Sequence, residues 1–200
     1  MKRILIIPII LLLIAGCSQN KYTYNGYTIT KHEFGWAATV YAGQKEQPYI
    51  VYLHYGPKEV DKINSETVKD KILNSKQIYT TFNPSMPGAP TALAVIDIVK
   101  VTGTNPEWGI FKIPTQAAIT EPDGINEVKT CKDATNETSV ILLKLGDETK
   151  IYPEDYCIII QAENEEDIIK ASNRLVYELL GIIKWKSFLD VQLQNTKPIA

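Results

Sequence analysis

Histidine and cysteine are scarce in this chain, and with them most of the side chains that ligate metals or attack substrates. Two histidines, His32 and His54, and three cysteines, Cys17, Cys131 and Cys157, occur among 200 residues. Neither histidine stands at ligand spacing from a cysteine, so no metal centre is expected. A glycine-rich phosphate loop and a dinucleotide fingerprint are missing, as are a GxSxG elbow and an HExxH pair. No cofactor and no catalytic residue is therefore assigned. Positive charge forms no stripe, and 21 basic against 23 acidic residues give a formal charge of −2. A nucleic-acid partner wants a basic stripe and is not expected. The apolar run at the start, Ile4 to Ala15, holds twelve residues, whereas a helix needs about 20 to span a bilayer core of about 30 Å.

What that run does offer is an export signal. Lys2 and Arg3 precede it, and small residues close it, the order of charged start, apolar middle and small-residue exit found in secretory signals. Ile14-Ala15-Gly16-Cys17 then resembles the lipobox of prokaryotic lipoproteins. The resemblance implies a diacylglyceryl group on the Cys17 thiol and cleavage just before it. Two acyl chains would anchor the protein durably, since each buried methylene contributes about 0.8 kcal/mol and one chain holds only marginally. The alternative is a plain signal peptide with a chance cysteine beside its cleavage site. Residues 1–16 are thus expected to leave, with residues 17–24 as a tether. The mature 184 residues keep 19 basic against 23 acidic ones, a formal charge of −4, and suffice for one domain.

Cys131 and Cys157 remain as an even pair. In an exported chain the simplest reading is a disulfide, whose loop of about 27 residues would contribute roughly 3 to 4 kcal/mol on the chain-entropy model. A reactive thiol or a metal site is the alternative.

Along the chain, Tyr27 to Glu33 and Trp36 to Tyr41 alternate about Gly35 and predict a β-hairpin. The aromatic and β-branched run Tyr49 to Tyr55, closed by Gly56-Pro57, predicts a third strand of the same antiparallel meander. Residues 57–75 predict one or two short surface helices. Two strand-helix units follow. Gln77 to Phe82 and a helix from Thr91 to Val101, ended by Gly103, form the first. Leu93, Val95, Ile96, Ile98 and Val99 circle that helix and predict deep burial. Tyr156 to Gln161 and a helix capped by Asn164, acidic in its first turn and stopped by Gly181, form the second. Ile168, Ala171, Leu175 and Leu179 give that helix one apolar face. Ile110 to Ile113, Val140 to Leu145 and Thr149 to Tyr152 predict further strands. The expected fold is α+β, a mixed sheet in a single domain over residues 25–187, with a loosely ordered tail over 188–200.

Tyrosine concentrates early, with Trp36 among the tyrosines. Trp36, Tyr41, Tyr49, Tyr52 and Tyr55 are the candidate binding surface for a protein or a glycan, although aromatics also fill strand faces. His32 and His54 lie on neighbouring strands, where one could serve as a base given a partner. The acidic loop about Asp133 and Glu137, with Asp147 and Glu148, does not match a calcium loop. Asn136-Glu137-Thr138 is a glycosylation sequon, meaningful in a host that glycosylates exported chains.

The stretch "TCKDATNETSVILLKLGDETKIYPEDYCIIIQAENEEDIIKASNRLVYELLGI", with the earlier "YNGY" and "YLHYGPKEV", resembles uncharacterised exported proteins of small-genome archaea. That resemblance implies a paired Cys131 and Cys157, a cell-surface location and, on Cys17, an ether lipid. It supplies no catalytic residues. The expectation is a lipid-anchored extracytoplasmic protein at the cell membrane, a non-catalytic binding or envelope-associated module. The alternative is an exported hydrolase of unrecognised type.

Overall fold

The computed structural model describes residues 20–42 and 47–184. The expected signal peptide, Cys17 with its lipobox, and the tail over 188–200 lie outside the described residues.

Four strands run antiparallel in chain order: β1 Lys21–Tyr24, β2 Tyr27–His32, β3 Gly35–Ala42 and β4 Gln47–Leu53. Lys21–Tyr24 is expected to end the tether. It pairs instead with β2 through Asn25-Gly26, both at positive φ, the turn whose twist suits two antiparallel strands. Gly35 opens β3 at a φ of +142°, and a Cβ there would overlap the Leu53 carbonyl oxygen. The hairpin thus lies close against the end of β4.

The second sheet has six strands in the order β5-β9-β10-β8-β6-β7. β6 Gln77–Phe82, β7 Thr115–Ile119, β8 Thr138–Leu145 and β10 Cys157–Ala162 are mutually parallel where they pair. β9 Lys150–Glu154 runs antiparallel to β10, and the two-residue β5 Asn64–Ser65 follows β9. Short helices α1 Pro57–Val60 and α2 Lys69–Leu73 fill the charged stretch after β4. The fold is α+β, as the sequence predicts, with the antiparallel meander and both strand-helix units in place.

Helices α3 Gly88–Thr102 and α4 Glu165–Leu179 pack in one core with side chains of both sheets. Ile29, Val40, Val51 and Leu53 come from the meander, and Ile78, Ile141, Leu143, Ile158 and Ile160 from the mixed sheet. Strand alternation divides β10, since Ile158 and Ile160 join this core while Cys157 and Ile159 face the other side. There the Cys131–Cys157 disulfide, with Cα atoms 5.2 Å apart, ties down a single 3₁₀ turn at Cys131–Asp133.

The two long helices exchange the roles their patterns suggest. α3 begins three residues earlier than expected, because Pro90 sits in its first turn where no amide donor is needed. Its Leu93 and Ile96 remain exposed, so its burial is one-sided. α4 starts at its Asn164 cap, whose side chain accepts from the Asp167 amide. Yet almost every residue from Ile168 to Leu179 is buried, Ser172, Asn173, Arg174 and Glu178 included. Its polar face is covered and must find partners inside. The segment Ile110 to Ile113 is no strand. Its amides bond Val101 and Thr102 carbonyls at the end of α3, satisfying acceptors that a helix end leaves open.

On the polar face of α4, Arg174 Nη1 donates to Glu178 Oε2 at 3.0 Å, and Ser65 Oγ donates to the same oxygen at 2.7 Å. Burial pushes the Glu178 carboxyl above the usual carboxylate range and lowers the Arg174 guanidinium. Arg174→Ala is expected to cost about 3–5 kcal/mol in urea denaturation, since it strands a buried charge, whereas Arg174→Met with Glu178→Leu should cost far less. The folded state holds the Glu178 proton to higher pH than the unfolded chain does. Its contribution is therefore full below the unfolded value and is lost as pH rises through the folded one. Melting curves should show wild type losing ground to Glu178→Gln as the pH is raised above about 4. Replacing both bonded cysteines by serine should cost about 3 kcal/mol on the same chain-entropy reasoning, read by urea denaturation.

Candidate functional site

Two adjoining clefts lie where the end of β4 meets α3. One, of 430 Å3, is lined by His32, Glu33, Phe34, Gly35, Trp36, Tyr52, Leu53, His54 and Lys100. The other, of 280 Å3, is lined by Ile50, Val51, Tyr52, Asp97, Lys100, Val101 and Trp108. Tyr52 and Lys100 belong to both. A larger open hollow of 670 Å3 lies beside Cys131, Lys71 and Tyr156.

A buried network underlies the paired clefts. Asp97, with no exposed surface, stands on the inner face of α3. Its Oδ2 is 2.8 Å from His54 Nδ1 and accepts from Asn173 Nδ2 at 2.7 Å. The Asp97 carboxyl thus takes His54 through Nδ1 and leaves Nε2 out of this bond. Asn173 Oδ1 in turn accepts from the Tyr55 amide at 2.9 Å, and Tyr177 Oη donates to the Tyr55 carbonyl at 2.9 Å. Asp97 Oδ1 is buried with no hydrogen-bond partner. His54 is thus oriented by a buried carboxylate and half-exposed to the larger cleft.

The expected binding surface divides by strand alternation. Tyr41 and Tyr52 are exposed at 68% and 54%, with Ile50 at 58% beside them. Trp36, Tyr49 and Tyr55 turn the other way and pack against the core. Trp36 lies edge-on to Tyr22, whose phenol burial pushes up to about 12. Tyr55 lies under the Lys170 ammonium. The two histidines line one cleft but do not bond each other: His32 sits edge-on to Tyr52 at 5.3 Å, and His54 takes Asp97.

The acidic loop serves its own turns. Asp133 accepts from the Thr130 amide and hydroxyl, which holds its carboxyl low. Glu137 pairs with Lys76 and Glu148 with Lys150. Among the described residues, no three His, Cys, Asp or Glu side chains gather as a metal centre would. Asn136 is exposed just before β8.

Sequence reading missed Asp97, Lys100, Trp108 and Asn173. Asp97 had a signal, a lone carboxylate within the apolar run from Ala92 to Val99. Asn173 had none, since its position on α4 reads as the solvent side. Comparison with known protein families, curated proteins and solved structures finds no match to this chain.

The network sets a stability test. Asp97→Asn can still face both donors with one carbonyl oxygen, but it exchanges a charged acceptor for a weaker neutral one and puts an amide donor where Oδ1 lies buried without a partner. It should cost about 2–4 kcal/mol in urea denaturation, because a buried donor is left unsatisfied. Lys100→Ala, on the exposed face, should change stability by less than about 0.5 kcal/mol.

Proposed function

We propose that this chain is a lipid-anchored, extracytoplasmic surface module that binds a partner protein or a glycan in the paired clefts at the end of β4. The observation that carries the binding reading is the conjunction of exposed Ile50, Tyr52 and Trp108 around Lys100, all lining one cavity. Concave sites with apolar walls and a few placed polar groups are where ligands bind, and exposed aromatics in a polar rim favour contact with a partner. The Cys131–Cys157 disulfide supports an oxidising compartment. The anchor rests on Ile14-Ala15-Gly16-Cys17 and the signal before it, at the cell membrane. No cofactor and no nucleic acid enters this reading.

A second reading, an exported hydrolase, is favoured by one observation, the His54–Asp97 contact at 2.8 Å beside an open cleft. An oriented imidazole could take a proton from an attacking water at Nε2. Neither cleft, however, is lined by a serine, threonine or cysteine, so this reading uses water as the nucleophile.

Intact mass of membrane-extracted protein tests the address. A chain beginning at Cys17 with an added lipid mass is expected, and unmodified soluble protein would remove the anchor from the proposal. A panel of chromogenic ester, peptide and glycoside substrates tests the second reading. Turnover abolished by His54→Ala would install the hydrolase in place of the binding module.

A further inference from the structure

β4 is an edge strand. In the meander it pairs with β3 and has no neighbour on its other side among the described residues. Its seven residues, Gln47 to Leu53, carry no charge, and of the charges, prolines, bulges and covering elements that blunt such edges it has Pro48, near its start and before the cleft residues Ile50 to Tyr52. The 280 Å3 cleft is lined by three consecutive β4 residues, Ile50, Val51 and Tyr52. Consecutive strand residues point to opposite faces, so a cavity that touches all three runs along the edge of the strand. Its other walls are α3, through Asp97, Lys100 and Val101, and Trp108 from the following loop.

The charges within this groove are Lys100 and Asp97. Asp97 is engaged through Oδ2 by His54 and Asn173. Lys100 is exposed and has no ion pair or hydrogen bond among the described residues. Glu33 lines the neighbouring cleft and not this one. Asp97 has no exposed surface, so the charge this groove presents is the Lys100 ammonium, beside a row of backbone groups and between an exposed tyrosine and an exposed tryptophan.

We propose that this groove takes an extended peptide bearing a carboxylate, added as a fifth strand on β4. The peptide backbone pairs with the free edge of β4, an apolar side chain enters the cavity between Tyr52 and Trp108, and the carboxylate meets Lys100. Main-chain pairing supplies affinity in strand addition, and the alternate side-chain pocket supplies specificity. The carboxylate supplies charge complementarity, which fixes register and suppresses wrong partners. This inference rests on the binding reading above and names its ligand class.

The test is selection of a random linear peptide library, displayed on phage, against the disulfide-bonded chain. Enriched sequences are then synthesised and titrated by fluorescence anisotropy. Peptides alternating apolar residues around one acidic group are expected. Lys100→Glu should weaken them about tenfold or more, and exchanging the acidic residue for lysine should recover binding to that variant. N-methylation of alternate peptide amides should weaken binding about tenfold or more, since it removes main-chain donors. The carboxylate is that of an acidic side chain, so amidating the peptide C-terminus should leave binding unchanged, and loss of binding on amidation would overturn the assignment. Absence of enrichment, or binding indifferent to both Lys100→Glu and N-methylation, would overturn the inference. So would a dimer in sedimentation that Tyr52→Lys dissociates, because the edge would then belong to a second copy. A glycan array that binds the chain while the peptide library fails removes the peptide and leaves the broader binding reading standing.

Discussion

The grip of α4 and α3 on residues 54 and 55 is the constraint from which the site follows. β4 ends at Leu53, and beyond it the backbone would lose its ladder partner. Instead, the Tyr55 amide and carbonyl are taken by Asn173 and Tyr177 of α4, while His54 is taken by Asp97 of α3. Asn173 also donates to Asp97, so both helices hold one dipeptide through a shared network. A buried network of this kind is costly when incomplete and specifying when satisfied. It fixes where the edge of β4 stops, and hence where the two clefts open.

This network and a second cluster, Arg174, Glu178 and Ser65, explain why α4 can be buried on nearly all sides despite its polar sequence. Its apolar face packs with the mixed sheet, and its polar face meets partners on the other side: Asn173 and Tyr177 with Tyr55, Arg174 with Glu178, and Glu178 with Ser65. The Asn25 side chain reaches the Ile182 carbonyl just past the helix, tying the first hairpin to the same helix. The meander is held by these hydrogen bonds together with its apolar inner face. The disulfide acts elsewhere, on the outer face of the mixed sheet, and leaves the clefts to noncovalent forces.

Much of this fold was legible from residues 77 to 181, where local and tertiary signals agree. Gln77 to Phe82 forms the expected strand, and Asn164 and Gly181 bound α4 because a cap and a left-handed stop act locally. The errors fall where tertiary contacts override pattern. Ile110 to Ile113 looks like a strand but caps α3, and α4 looks amphipathic but has its polar side covered. Asn25-Gly26 is a plain hairpin signal, and it places Lys21–Tyr24 in a strand in spite of the polar residues leading into it. The site was only half legible. His54 and Tyr52 stood out by residue type, whereas Asn173 acquires its role from a strand end 118 residues earlier in the chain, which no local window contains. Trp36, Tyr49 and Tyr55 were grouped with Tyr41 and Tyr52 by composition, and strand alternation separated them.

Amide hydrogen exchange at Tyr55, followed residue by residue in wild type and in Asn173→Leu, tests the grip most directly. The Tyr55 amide should be protected in wild type and should exchange on the order of tenfold or more faster in the variant, with β8 and β10 amides unchanged. Equal protection of Tyr55 in both proteins would contradict the role assigned to Asn173 and detach the clefts from the helix beneath them.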